Sequence, residues 1–274
     1  MIGAAVPAMR CCLQLHFSIS GFPRFPCPSN ACNIQSSRPQ IHACRHKTTT
    51  PMLTPTVCSD STSPDSLHQV LRARTQAAHE HLKNHPLLDG LTKADYPLRS
   101  YWLVLSAYYH FYRAMELLVE SASVRLNSRF DYTPRHKHGW LRQDLVDSFH
   151  IDPEDAFWRP KRKFSPIRIE DQADLAGALY AIEGATHGGQ VISRRIQAGR
   201  LGVTAEHGGR FFYGYGEQTT PRWNEFLTYA EQTCPDAEQR KKAAHAALAV
   251  FAEIEAVLDD YSARANMNPR SRTC

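Results

Sequence analysis

From residue 63 onward, apolar positions recur at the spacing of a helix rather than a strand. Leu67, Leu71, Thr75, Ala78 and Leu82 follow at steps of four, four, three and four, which is one helical face. Ser63-Pro64 supplies a capping serine and a first-turn proline, and Asn84-His85-Pro86 a stop, since the residue before proline disfavours the helical region. A second helix is predicted after Asp95-Tyr96-Pro97 to about Glu120, rich in Tyr101, Trp102, Leu103, Leu105, Tyr108, Phe111, Tyr112 and Met115. A short one covers about 140–149, and proline-bearing links follow around Pro153 and 160–166. A long helix spans roughly 169–197 and ends before Gly199. Residues 207–216 are too rich in glycine for a helix and read as an ordered loop. Thr220-Pro221 opens a helix to about Gln232, and Pro235 opens the last, with Leu248, Phe251, Ile254 and Leu258 as its apolar stripe. With no alternating strand and no internal repeat, the pattern predicts an all-α, irregular bundle of six or more helices over residues 61–274.

The first 60 residues do not share this pattern. They hold seven of the 17 prolines, five basic residues (Arg10, Arg24, Arg38, Arg45, Lys47) and a single acid, Asp60. Such a segment reads as a disordered leader. Three origins fit it: a start assigned too early, with translation beginning at Met52; an organelle transit peptide; or a weak secretory signal around 11–22. Removing it changes the charge picture. The formal +5 falls to 27 basic against 26 acidic residues in the body, which is no footprint for nucleic acid. Six of the eight cysteines also precede residue 60, leaving Cys234 and Cys274. A body so poor in thiols is no disulfide scaffold and suits the cytoplasm, although the leader leaves an organelle open. No run of 18 apolar residues predicts a membrane span.

Candidate chemistry lies in two helices. Gly184, Gly188 and Gly189 fall within six residues of the long helix, with Gly177 upstream. Each helical glycine costs about 1 kcal/mol relative to alanine, so close approach of a flat ligand or another backbone should offset it. Far upstream, His79 borders the apolar face of the first helix. Each feature has a plainer reading, a tight helix crossing for the glycines and a polar edge for the histidine, with His81 and His85 nearby. Together they are the two plates needed to hold a haem.

The motifs Leu71-x3-Thr75-x3-His79 and Glu183-Gly184-Ala-Thr-His-Gly188-Gly189-Gln190-Val-Ile resemble the haem oxygenase family. The stretch Gly208-Gly-Arg-Phe-Phe-Tyr-Gly-Tyr-Gly216 is similar to its bacterial, biliverdin-producing form, which often accompanies bacterial phytochromes. The resemblance spans about 66–260. It implies a monooxygenase for which haem is both cofactor and substrate, opened to biliverdin with release of iron and carbon monoxide. Dioxygen and an external electron donor, a ferredoxin or a reductase, would be required, since the chain carries no flavin or nicotinamide fingerprint. It implies His79 as the iron ligand and Gly184, Gly188 and Gly189 as a kinked distal helix whose bare backbone steers oxygen toward the ring edge. Many members carry an aspartate after the first distal glycine to order water; here Ala185 stands there. Thr186 is the first candidate to replace it, because its hydroxyl both donates and accepts. His187 is either a distal base or sixth ligand, or simply points into the bundle or to solvent. Glu183 is expected only to anchor its helix. Arg72, two turns before His79, Thr75 and Arg222 are the candidate haem-contacting residues, the arginines through the propionates. Phe211, Phe212, Tyr213 and Tyr215 would wall the pocket or belong to the core.

Rival readings are weaker. A thiaminase-like enzyme would need Cys234 as a nucleophile, and a ferritin-like di-metal oxidase would need paired Glu-x2-His motifs that the chain lacks. A non-enzymatic haem carrier of the same fold remains, and Ala185 is the reason.

Overall fold

The computed structural model describes residues 66–265. Seven α-helices follow in order: α1 (Leu67–Lys83), α2 (Leu98–Arg125), α3 (His138–Gln143), α4 (Gln172–Gln197), α5 (Arg210–Tyr213), α6 (Thr219–Thr233) and α7 (Ala237–Ala265). Among the described residues there is no strand, only an isolated bridge between Thr204 and Gly208. None of these helices is long and apolar enough to cross a membrane. The all-α architecture is therefore as the periodicity predicts. The leader lies outside the described residues, as do Ser63 and Pro64.

The first helix starts later than expected. Ser66 is its N-cap, its side chain accepting from the Gln69 backbone N–H while the Gln69 side chain accepts from the Ser66 N–H. This reciprocal box satisfies two otherwise orphaned donors, so Ser66 rather than Ser63 sets the boundary. The short helix predicted over 140–149 is α3 followed by a π-turn at Asp144–Ser148. The 207–216 stretch is also not all loop. It makes the single turn α5, ended by Gly214 at φ +61°, a conformation that favours glycine. Buried Asp144 holds that turn in place by accepting from the Arg210 and Phe211 backbone N–H groups, both at 3.0 Å.

The bundle is organised around α7, which packs against α1, α2 and α4. Of the predicted stripe, Ile254 and Leu258 are buried and Leu248 and Phe251 half-buried, and the buried face also takes in Ala243, Ala244, Ala246 and Ala247. Small residues let backbones approach, and Gly177 of α4 uses that freedom. A Cβ at Gly177 would lie 1.9 Å from the Ala243 carbonyl oxygen, so only glycine fits this crossing. On α2, Tyr101, Leu103, Leu105, Phe111, Tyr112 and Met115 fill the other side of the core, as their sequence richness implied.

Candidate active site

Helices α1 and α4 both pack on α7 with few backbone-level contacts between them and with α6 at one end; the space between them, onto which Gly188 stands open, is the candidate cleft. On α1, His68, Arg72, Thr75 and His79 follow at steps of four, three and four and form a stripe beside the buried Leu67/Leu71/Leu82 face. The upper part of this stripe meets α4 and α6. The His68 ring lies 6.3 Å from Tyr180 and 5.8 Å, edge-on, from Trp223. Thr75 is buried and its hydroxyl donates to the Leu71 carbonyl at 2.8 Å.

The neighbouring histidines are otherwise engaged. His81 reaches Glu255 of α7 at 2.8 Å, and buried His85 lies 3.2 Å from Asp259. His79 projects from the opposite flank of α1, exposed, with no hydrogen bond or ion pair among the described residues. Although the residue is exposed, the protein around its ring desolvates it enough to lower its pKa below the usual 6.5, with Glu80 opposing the effect and Lys83 adding to it. The neutral imidazole, which is the ligating form, is thereby favoured. Arg72 is exposed on the same stripe, close enough for its charge to help lower the His68 pKa, which burial pushes down first.

On α4 the glycines separate into two roles. Gly177, Gly184 and Gly188 share one face, at steps of seven and four. Beyond the α7 crossing at Gly177 that face is open. A Cβ at Gly188 would meet nothing within 4 Å, and one at Gly184 only the Trp223 ring edge at 3.7 Å. Gly189 lies about 100° round from Gly188 and turns elsewhere, where its Cβ would sit 3.1 Å from the Phe212 carbonyl oxygen. It is a packing glycine against α5. Thr186 also faces α5. It is buried, its methyl so near Gly214 that a Cβ there would come within 2.5 Å, and its Oγ1 has no hydrogen-bond partner among the described residues. Ala185 is exposed. His187 is half-buried, 6.3 Å from the Trp223 ring, and burial lowers its pKa.

Behind the glycine face, Glu183 is tied down. Only 2% exposed, it accepts from Arg135 at 2.8 Å, Lys137 at 2.5 Å and the Tyr215 hydroxyl at 3.0 Å. Burial alone would raise its pKa, but Lys137 and Arg135 outweigh that and hold the carboxyl below its ordinary value. Lys137 is itself 1% exposed, and its ammonium also lies 3.1 Å from each of the Tyr132 hydroxyl, the Arg135 carbonyl and the Tyr215 hydroxyl, more acceptors than its remaining two N–H groups need. The anchoring role expected of Glu183 is what this arrangement performs. Its cationic partners Arg135 and Lys137 were not foreseen, because they sit in a non-periodic turn between α2 and α3 where no helical face singles them out. Arg222 also lies on this side: it donates to the Pro134 carbonyl at 2.9 Å and stacks over Tyr215, 4.5 Å from the ring centre. Phe211 and Phe212 are buried in the core beside Tyr108, and Tyr213 is exposed.

A family model described as Heme oxygenase matches residues 65–260. The chain belongs to the haem oxygenase family. Solved structures agree on the fold. A haem oxygenase from Neisseria meningitidis, determined with NO and CO bound, aligns at 20% identity and TM-score 0.57, covering 72% of this chain and 92% of its own. One from Leptospira interrogans aligns at 17% identity and TM-score 0.58, covering 71% and 98%. One from the cyanobacterium Synechocystis, in complex with haem, aligns at 18% and TM-score 0.50, covering 73% and 94%. No curated protein matches the sequence significantly.

As a haem oxygenase family member, the chain has little room for the rival chemistries. Cys234 is fully buried, and burial first, then Asp171, pushes its thiol up to about 12, so it is protonated and poorly suited to nucleophilic attack. Glu183 is committed to its two cations. One further group of metal-ligating side chains occurs among the described residues, Glu116, His136 and His138. It belongs to α2 and the turn before α3 rather than to the α1–α4 cleft.

Proposed function

We propose that this haem oxygenase family protein is a working enzyme, opening haem to biliverdin with release of iron and carbon monoxide. Family membership implies haem degradation; the product assignment rests on the cleft. The observation that carries it is a bare backbone face at Gly184 and Gly188 on α4, beside an imidazole-bearing stripe on α1 whose His68 meets α4 at Tyr180. The residues fit the group: a neutral imidazole for iron, glycines with open space for a flat ring, and an exposed arginine for a propionate.

Bound haem would supply the redox and oxygen chemistry, with the protein contributing placement. His79 would hold the iron and Arg72 a propionate, while Thr75 keeps the α1 stripe in register through its bond to the Leu71 carbonyl. Gly184 and Gly188 would present main chain where a side chain would otherwise stand, confining any small ligand to the space toward the ring edge. Thr186 offers an unsatisfied hydroxyl that can hold a water beside α4. Arg222, held at Pro134 and Tyr215, would reach a propionate only by leaving both. Gly189 supports the site by letting α4 lie close on α5.

Electrons would come from outside the chain, from a ferredoxin or a reductase, and a bacterial phytochrome would suit the product as acceptor. We place the enzyme in the cytoplasm, in keeping with its thiol-poor body. The test is reconstitution with hemin followed by reduction under oxygen with a ferredoxin system. Loss of the Soret band, a biliverdin spectrum and released carbon monoxide are expected. A stable oxy complex would instead establish the carrier reading, which Ala185 favours because it cannot hydrogen-bond through its side chain.

A further inference from the structure

One cluster of side chains that could hold a metal ion stands on α2 and the turn before α3. Glu116 lies on α2, buried, and Glu120 follows one turn later. The segment 136–138 runs alongside. His136 has extended backbone (φ −59°, ψ 136°), and Lys137 sends its ammonium away to Glu183 while the imidazoles on either side turn to the α2 carboxylates. His138 Nδ1 lies 2.5 Å from Glu116 Oε2, and His136 Nε2 lies 2.9 Å from Glu120 Oε1. The two rings are 5.7 Å apart. One potential ligand atom from each of Glu116, His136 and His138 falls within 4.8 Å of the other two.

A second observation points the same way. His136 Nε2 is buried and has no well-formed hydrogen bond despite the nearby Glu120 carboxylate. A buried nitrogen in that state normally has a partner. Two ligands about 2.0–2.1 Å from one ion must sit roughly 3 Å apart, with no need to align as donor and acceptor. The other oxygen of Glu116 is already fixed, accepting from the Lys137 backbone N–H at 2.6 Å. That orients the carboxylate as an outer partner orients a metal ligand.

We propose that Glu116, His136 and His138 form a binding site for a divalent transition-metal ion, with Glu120 alongside to take a fourth position or hold a bound water. Mixed imidazole and carboxylate donors suit zinc and its neighbours in the first transition row better than calcium or magnesium. Glu120 also borders an open groove with Leu117, Val124 and Tyr132. Because Lys137 is shared, an ion here would brace the turn that carries the Glu183 anchor of α4.

The test is a zinc titration of the full chain against a chromophoric chelator, after alkylation of accessible thiols so that the leader cysteines do not compete. Wild type is compared with Glu116→Gln and with His136→Gln/His138→Gln, each checked for helicity by circular dichroism. The expected result is loss of one zinc equivalent in the double variant. Affinity at that site should fall by about 100-fold or more in Glu116→Gln, since losing even an outer partner costs about 10–100-fold. Added zinc should also raise the wild-type melting temperature and leave that of the double variant unmoved. Equal stoichiometry and affinity in folded wild type and double variant would overturn the site, as would a wild type that takes up no zinc after alkylation. Neither outcome depends on haem turnover, so failure here leaves the proposed function standing.

Discussion

Replacing Gly188 by alanine should make the protein more stable and a worse haem protein at once. The added methyl would meet nothing within 4 Å, so it introduces no clash. Gly188 is within α4, well away from either end, where alanine is favoured over glycine by about 1 kcal/mol. For a body of this size, about 1 kcal/mol corresponds to a rise of about 2–4 °C in melting temperature. Thermal unfolding without haem, followed by circular dichroism, reads the first effect. Hemin titration at the Soret band and single-turnover biliverdin yield read the second, and both should fall, because the methyl occupies the space the ring needs. Two results would refute the reasoning. If Gly188→Ala melts lower than wild type, the space above α4 is not open. If it melts higher while binding and turnover are unchanged, the glycine face is not where haem lies.

Gly177→Ala tests the opposite case: a methyl 1.9 Å from the Ala243 carbonyl must force α4 and α7 apart, costing at or beyond the upper end of the ~1–3 kcal/mol typical of overpacking, measurable by urea unfolding. His79→Ala should abolish turnover and weaken hemin binding, with partial recovery on adding imidazole; full activity without imidazole would reject His79 as the iron ligand. Glu183→Gln strands two buried cations and should cost about 3–5 kcal/mol, with Glu183→Gln/Lys137→Met losing less than the two single variants summed. Because the folded Glu183 pKa is held below its ordinary 4.5, its contribution is complete above that value and is lost as pH falls through the lowered one; the gap between wild type and Glu183→Gln should therefore close in acid.

What the sequence disclosed follows the reach of periodicity. Six of the helices are legible because a step of three or four fixes direction on a helix, and the same step puts Gly184 and Gly188 on one face. The ends were less so. Several serines precede α1, and only the partner three residues on, Gln69, distinguishes Ser66 as the cap. The large residues of α7 give half of its buried face, Ile254 and Leu258; its N-terminal half buries alanines instead, since the decisive contact there is with the backbone at Gly177. Gly188 and Gly189 are adjacent in sequence, but the 100° between them separates an open face from a packing face, and which is which depends on where α5 sits. Arg135 and Lys137 could not be found at all from period. Buried cations are rare, and what marks these two is the carboxylate 46–48 residues away that they share.

The placement of Glu183 explains how a helix so weakened can still hold a fixed position. Three glycines within six residues of α4 forgo about 3 kcal/mol of helix propensity, and two of them leave the cleft side without side chains to pack. Past the Gly177 crossing, only the Trp223 ring edge beside Gly184 is near enough on that side to define where the backbone stands. The residue just before the first cleft glycine does so from behind, through two cations and a tyrosine hydroxyl. Those bonds have directions and short ranges, whereas an apolar contact would tolerate sliding. A bare glycine face and a buried ionic tether on another side of the helix are therefore two halves of one arrangement: removing the side chains that would position α4 by packing requires a positional restraint that does not stand on that face.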